Sequence, residues 1–283
     1  MITVKKPNKL APSDPGSGYY DLNSYSSALG AGIFDQEYFY AATGLNGKFS
    51  FNFATQYQDF LYLGLNLNSH FLNYDRVTSF YEFNDNPGST INDIFFENRL
   101  STLGSGFSFQ LGGLAKVGEN LRAGIAFESP TWYQISEETT QYLETYNDRG
   151  WLTVDPNVVN IYPDYNIQTP AIYTGSLAYL FGSNALVSFD YSYKDYSTTE
   201  FRPKDDAGLA FQNSLMETNL QAASTYRIGG EYRIKGWSLR GGYRLEESPY
   251  ADTTNYSDLE GYSAGLGYNF GNFRIDLSYD TYK

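Results

Sequence analysis

The chain has 283 residues, no cysteine, 28 Tyr and 20 Phe against 2 Met, and a formal net charge of -13. The absence of cysteine excludes a disulfide framework and a thiolate metal site, and the negative balance excludes nucleic acid, which is bound through Lys and Arg at phosphates. No run of about 18 apolar residues occurs, which excludes a transmembrane helix; a membrane-spanning strand escapes that test because its lipid-facing and water-facing residues alternate.

Taken from the start, MITVKKPNKLAPSDPGSG has neither an apolar stretch nor a small-residue cleavage site of the kind an export signal carries. An exported membrane protein needs such a signal, so the expectation is an incomplete chain. Residues 14–44 read as loop with a short helix, too irregular for a strand pair. Residues 1–45 are therefore expected as an irregular segment resembling an extracellular loop, and residues 46–283 as strands and their connections.

From Asn46 onward one unit repeats: an alternating segment, a tight turn, a second alternating segment and a longer polar loop. Leu61, Leu63, Leu65 and Leu67 alternate with Tyr62, Gly64, Asn66 and Asn68. The same split separates Val187, Phe189, Tyr191 and Tyr193 from Ser188, Asp190, Ser192 and Lys194, and Phe273, Ile275, Leu277 and Tyr279 from Arg274, Asp276, Ser278 and Asp280. A period of two means one apolar and one polar face.

The spacing predicts about ten strands, near 46–57, 60–84, 99–116, 120–136, 168–181, 185–201, 223–234, 237–249, 258–270 and 273–282. Short turns fall at Gln58-Asp59, Gly118-Asn120, Gly182-Asn184, Lys235-Gly236 and Gly271-Asn272. Longer stretches lie near 85–98, 137–167, 202–222 and 250–257, and residues 205–221 carry the pattern of a short helix. Short turns at one end and long loops at the other is the asymmetry of outer-membrane barrels. The fold class expected is all-β: an antiparallel transmembrane up-and-down β-barrel, or an open, curled sheet if these strands stand alone.

A two-residue turn at Lys235-Gly236 fixes a register. It sets Ile234 opposite Trp237, Arg233 opposite Ser238, Glu231 opposite Arg240, and Arg227 opposite Arg244, a like-charge pair in need of a partner such as Glu246. Arg122, Glu128, Asp190, Arg274 and Asp276 share this parity. A cation at mid-membrane on the lipid side costs about 2–4 kcal/mol, so these ten charges mark the lumen side. They read as a network bracing the interior or as a ladder tuning a pore.

Catalytic readings are weak. The single histidine, His70, falls on the polar parity of its strand and reads as a lining residue rather than a general base. Glu137-Glu138, Glu246-Glu247 and Asp205-Asp206 are sequence neighbours, which in a strand point to opposite faces and form no carboxylate dyad. The glycine-rich stretch from Gly104 to Gly113 lacks the Lys and the following helix of a phosphate loop. No metal site, cofactor or enzyme activity is expected. More telling are the apolar residues near two loops: Phe80, Phe83, Ile91, Phe95 and Phe96 around one, Trp132, Tyr133, Tyr142 and Leu143 around the next. They form either a self-packed lid or a groove for an apolar ligand.

Four blocks carry a family resemblance: LNGKFSFNFATQYQDFLYLGLNL (45–67), GSGFSFQLGGLAKVGENLRAGIAFESPTWY (104–133), TPAIYTGSLAYLFGSNALVSFDYSYKDYS (169–197) and TYRIGGEYRIKGWSLRGGYRLEESPY (225–250). In order and spacing they resemble the OmpP1/FadL/TodX outer-membrane transport family, in its Bacteroidetes-like forms. The resemblance implies a fourteen-stranded barrel of which about ten strands are present here. It further implies passage of long-chain fatty acids or other hydrophobic compounds from the loops to the lumen and out through the wall. The family's hatch and lateral gate have no counterpart residues in this chain. The partners implied are an apolar small molecule such as a fatty acid and outer-membrane lipid. An alternative from another class is a non-transporting scaffold for secretion or surface-protein attachment.

Overall fold

The computed structural model describes residues 31–283 and, before them, the backbone of two short strands, β1 (Lys5–Pro7) and β2 (Tyr25–Ser27), which pair antiparallel. The strands that follow are β3 (Asp35–Tyr57), β4 (Leu61–Phe83), β5 (Asp93–Val117), β6 (Leu121–Glu128), β7 (Trp132–Asn147), β8 (Gly150–Val154), β9 (Asn160–Ile161), β10 (Tyr165–Gln168), β11 (Ile172–Phe181) and β12 (Ala185–Asp195). Then come β13 (Glu200–Arg202), helix α1 (Ala207–Asn219), β14 (Ala222–Ile234), β15 (Trp237–Glu246), β16 (Leu259–Asn269) and β17 (Arg274–Tyr282). The fold class is all-β and up-and-down: β3 pairs with β4 and β4 with β5, while β5 with β6, β6 with β11, β11 with β12, β12 with β14 and then β14 to β17 in chain order pair antiparallel, and β7 pairs with β5 and β10. Among the described residues no helix is long and apolar enough to cross a membrane.

The chain divides into two compact units, Met1–Leu45 with Asn73–Leu103 and Ser136–Pro163, and Asn46–Leu72 with Gly104–Ile135 and Asp164–Lys283. In the larger unit the tight turns behave as the sequence requires. Lys235 (φ 47°) and Gly236 (φ 86°) both adopt positive φ, the backbone of a two-residue hairpin turn whose twist matches the strands it joins. The register on either side is the expected one, including Glu231 opposite Arg240 and Arg227 opposite Arg244.

One face of the larger unit is aliphatic and aromatic, and the described residues leave it bare. Ile125 is 75% exposed, Leu277 68% and Leu177 51%. Among the described residues only Ile94, Ile135 and Ala223 are buried hydrophobics. In water each uncovered Leu or Ile side chain would forgo roughly 1.5–3 kcal/mol. Aromatic rings mark both ends of this face. Tyr226 and Tyr232 on β14, Trp237 and Tyr243 on β15, and Tyr262 and Tyr268 on β16 are each six residues apart, with Ile, Leu, Ala or Gly between on the same parity. Six residues span about 20 Å of strand, close to the apolar band of about 25 Å between the aromatic girdles of outer-membrane barrels. The rings also meet across strands: Trp237 and Tyr268 at 4.6 Å, Tyr243 and Tyr262 at 5.2 Å between centroids.

The ladder changes face in the middle of this unit. Phe109 lies against both Phe127 (6.0 Å) and Trp132 (6.5 Å), so Phe127 and Trp132 share the apolar face although their numbers differ by an odd count. The extra residue lies in Ser129-Pro130-Thr131, a bulge that reverses the alternation. Ser129 Oγ accepts from the Phe109 N–H at 2.9 Å and donates to the Pro130 carbonyl at 2.8 Å. On the neighbouring strand residues 169–171 interrupt in parallel. The Thr131 N–H donates to Thr169 Oγ1 at 2.9 Å and the Thr169 N–H to the Thr131 carbonyl at 3.0 Å. Because both strands shift together, Glu128 still faces Ile172 below the bulge and Trp132 faces Gln168 above it.

Strand limits agree with the sequence reading at the tight turns and depart from it at the long loops. Residues 35–45, expected in the irregular segment, are the first part of β3, which pairs with β4. The helix expected within 14–44 has no counterpart over residues 31–44, and residues 14–24 and 28–30 lie outside the described part. The stretch 137–167 is not plain loop: β7 runs on to Asn147 and returns as β8 and β9. The helix expected over 205–221 is α1, with Asp206 as its N-cap, the side chain accepting from the Leu209 N–H at 2.9 Å.

Candidate functional site

The polar face of the larger unit carries two hydrogen-bonded rows across its first strands. In the lower row Asn52 donates to Asn66 (2.6 Å), Asn66 to Gln110 (2.8 Å) and Gln110 to Glu128 (2.8 Å), four strands joined by amides ending on a carboxylate. In the upper row Ser50 donates to Asn68 (2.7 Å) and Asn68 to Ser108 (3.2 Å). His70 Nε2 is 2.8 Å from Ser108 Oγ and its Nδ1 is 3.2 Å from Tyr133 Oη. Both ring nitrogens are thus engaged, and Ser108 is fully buried, so the pair lines the face. Space is tight beside Gly104 and Gly106: an added Cβ would come within 2.8 Å of Ile135 Cδ1 at the first, and within 2.7 Å of Tyr133 Cδ1 and 3.0 Å of the Trp132 carbonyl oxygen at the second. Small residues in the glycine-rich stretch therefore make room on the polar face.

The ten expected charges divide. Glu231, Arg233, Arg240, Arg274 and Asp276 form one cluster, with Arg233–Glu231 at 2.6 Å, Arg240–Asp276 at 2.7 Å, Arg274–Asp276 at 3.0 Å and Arg240–Glu231 at 3.4 Å. Arg244 binds Glu246, the partner expected for it. The rest stand apart: Asp190 accepts from Ser176 (2.5 Å), Glu128 from Gln110, and Arg122 donates to the Leu121 carbonyl (2.9 Å). Arg227 has no ion pair within 4.0 Å among the described residues, though it lies across from Asp190.

The nine apolar residues expected around two loops lie mostly in strands, because the strands run further than their alternation in sequence suggests. In the smaller unit Phe80 and Phe96 fall on the parity that carries His70 and Ser108. Phe83, Phe95 and Tyr142 fall on the other, with Phe95 and Tyr142 at 6.1 Å. Leu143 shares the parity of Glu137, which accepts from Thr102 on β5 at 3.1 Å. Ile91 alone is in a loop. Trp132 and Tyr133 belong to the larger unit, on opposite faces, the one against Phe109 and the other against His70. What the sequence reading missed is a second apolar stretch: Trp151, Leu152 and Ile161 are 60%, 58% and 73% exposed. The apolar runs WLTV at 151–154 and VVNIY at 158–162 were its signal in the sequence.

A wall of antiparallel strands with one hydrogen-bonded polar face and one bare apolar face between aromatic belts is the construction of membrane β-barrels. No protein-family profile matches the chain, and no curated protein matches it. Solved structures do. The CymD monoaromatic hydrocarbon channel matches over 90% of this chain and 85% of its own, at 13% identity and a TM-score of 0.45. A Pseudomonas aeruginosa FadL homologue matches over 82% of this chain and 68% of its own, at 12% identity and a TM-score of 0.45. The Pseudomonas putida toluene transporter TodX matches over 87% and 83%, at 12% identity and a TM-score of 0.41.

Proposed function

We propose that this chain forms outer-membrane wall and serves passive uptake of hydrophobic small molecules, long-chain fatty acids or hydrocarbons, rather than catalysis. The observation that carries this reading is the bare aliphatic face of the larger unit, bounded by aromatic belts and backed by a polar face whose groups are hydrogen-bonded. A soluble sheet would cover such a face with a second layer. Apolar solute would collect on Phe80 and Phe96, which share the parity of the polar face, and then pass along that face. The charges Arg122, Glu128, Asp190, Arg227, Glu231, Arg233, Arg240, Arg244, Arg274 and Asp276 would line its way. His70 is held between Ser108 and Tyr133 and takes no part in chemistry.

The test is equilibrium binding of an apolar solute to the protein in uncharged detergent, followed by its uptake into vesicles carrying the protein. Phe96→Ala is expected to weaken binding about tenfold, the equivalent of about 1.4 kcal/mol of lost apolar contact, and Phe95→Ala, on the opposite face, to leave it unchanged. Unchanged binding in Phe96→Ala removes that residue from the site.

A second reading, attachment of a partner protein, is favoured by the exposed Trp151, Leu152 and Val154 on β8, which pairs only with β7 among the described strands. Vesicles holding this protein alone separate the two, since a scaffold would show no uptake.

A further inference from the structure

The apolar face of the larger unit is not evenly filled. Gly113, Ile125, Gly175 and Tyr191 lie directly across from one another on β5, β6, β11 and β12, so Ile125 stands between two glycines. Toward the tight turn the next pair on that face is Ala115 opposite Ala123. Beside these small residues the wall is hollow: a depression of about 960 Å³ adjoins one of about 610 Å³, and Leu63, Gly113, Ile125, Gly175 and Tyr191 line both. Among the described residues no charged side chain lines either.

Nothing in the wall itself calls for these two glycines. Neither has positive φ. A Cβ built on Gly175 would meet no atom within 4 Å, and one on Gly113 would meet only Leu63 Cδ2 at 3.6 Å and Ile125 Cγ1 at 3.9 Å, which are ordinary contacts. Glycine inside a strand weakens it and marks a place where a ligand comes close to the backbone. The depth of the hollow agrees. On β11, Tyr173, Gly175, Leu177 and Tyr179 share one face; Tyr173 packs on Phe127 at 5.2 Å and Tyr179 on Phe181 at 4.8 Å. Six residues separate the two tyrosines, about 20 Å of strand, the same interval as on β14, β15 and β16. The hollow therefore opens between aromatic belts, inside the apolar band.

We infer that this hollow is a lipid site: it holds one acyl chain of a membrane phospholipid and releases it more slowly than the rest of the wall does. The inference rests on the wall part of the reading above and not on uptake. Three features select the occupant. An uncharged lining offers nothing to a headgroup, so the part that enters is hydrocarbon. A second copy of the wall would present single side chains to a hollow of this size and leave most of it empty, forfeiting dispersion contacts along its lining. A run of methylenes bends to follow an uneven floor, and lipid surrounds this face in bulk, so mass action keeps the hollow filled.

The experiment places the whole chain in dimyristoylphosphatidylcholine vesicles, extracts it with rising amounts of an uncharged detergent, and counts retained lipid by native mass spectrometry. The variant Gly113→Val, Gly175→Leu fills the hollow. The expected result is a single phospholipid that stays on the unaltered chain to a detergent concentration about tenfold above the one that strips the filled variant. Gly175→Leu alone should fall between them, and serves if the double variant does not fold. Gly241→Leu, on the same face between Gly230 and Ala264 and away from the hollow, should retain lipid like the unaltered chain. Urea midpoints equal to that of the unaltered chain identify the folded variants. Equal retention by the filled and unaltered chains, or no lipid on the unaltered chain, overturns the inference. A retained free fatty acid, or a dimer that the filled variant loses, overturns it too by naming another occupant. All of these leave the wall reading standing; a chain that does not enter the vesicles overturns that reading and this inference together.

Discussion

Ile125 is the residue on which the surroundings of this sheet can be measured. Its cross-strand neighbours are Gly113 on β5 and Gly175 on β11, so its side chain stands clear of the wall at 75% exposure. Facing hydrocarbon near mid-membrane, Ile125→Arg should destabilise the protein by about 2–4 kcal/mol. Facing water, it should change little. Urea unfolding from lipid vesicles reads the difference, and a change below about 0.5 kcal/mol would mean that no lipid meets this face. On the other face Ser129 gives a complementary test. Ser129→Ala removes the acceptor of the Phe109 N–H at a position only 2% exposed, which should cost about 1–3 kcal/mol and speed hydrogen exchange at Phe109.

At the level of elements, the short turns were legible and the long connections were not. A tight turn announces itself through residues that tolerate positive φ, as Gly118, Gly182, Gly236 and Gly271 do. From each of them the register of two strands follows by counting. The upper parts of β5 and β7 carry Asn, Glu and Thr on both parities, so no hydrophobic period distinguishes them from loop, yet backbone pairing extends them. The bulge at Ser129-Pro130-Thr131 was equally hidden. It moves Trp132 and Tyr133 to faces that simple alternation assigns the other way round. The short strand β13 also makes a pH prediction. The Lys204 ammonium bound to Glu200, with Arg202 beside it, holds that carboxyl below its ordinary value of 4.5. A depressed carboxylate stabilises the fold above its unfolded value, and the contribution is lost as the pH falls through the lower, folded value. Amide exchange in residues 200–204 should therefore accelerate below about pH 4 in the unaltered chain and be less sensitive to acid in Glu200→Gln.

For the whole molecule, the fold class and the two faces could be read from alternation alone, because a period of two is all that a wall between lipid and water demands. The solute site could not, since it depends on strand ends whose pairing the alternation does not specify. Orientation is open to direct test in a chain without cysteine. A cysteine placed at Asp205, before α1, should react with a membrane-impermeant maleimide on intact cells, and one placed at Asn272, in the last tight turn, should react only after the outer membrane is opened. The reverse pattern would invert the proposed uptake direction.

The paired interruption at residues 129–131 and 169–171 restricts how this sequence can change in length. Deleting one residue from the first stretch alone would slide Trp132 and everything above it by one place against Gln168, turning Tyr133 away from His70 and bringing Ile135 to the outside. A matching deletion in the second stretch would restore the partners between those two strands. The ladder with β5 would still be displaced, so length variants with a single edit should misassemble, and double edits should recover only in part.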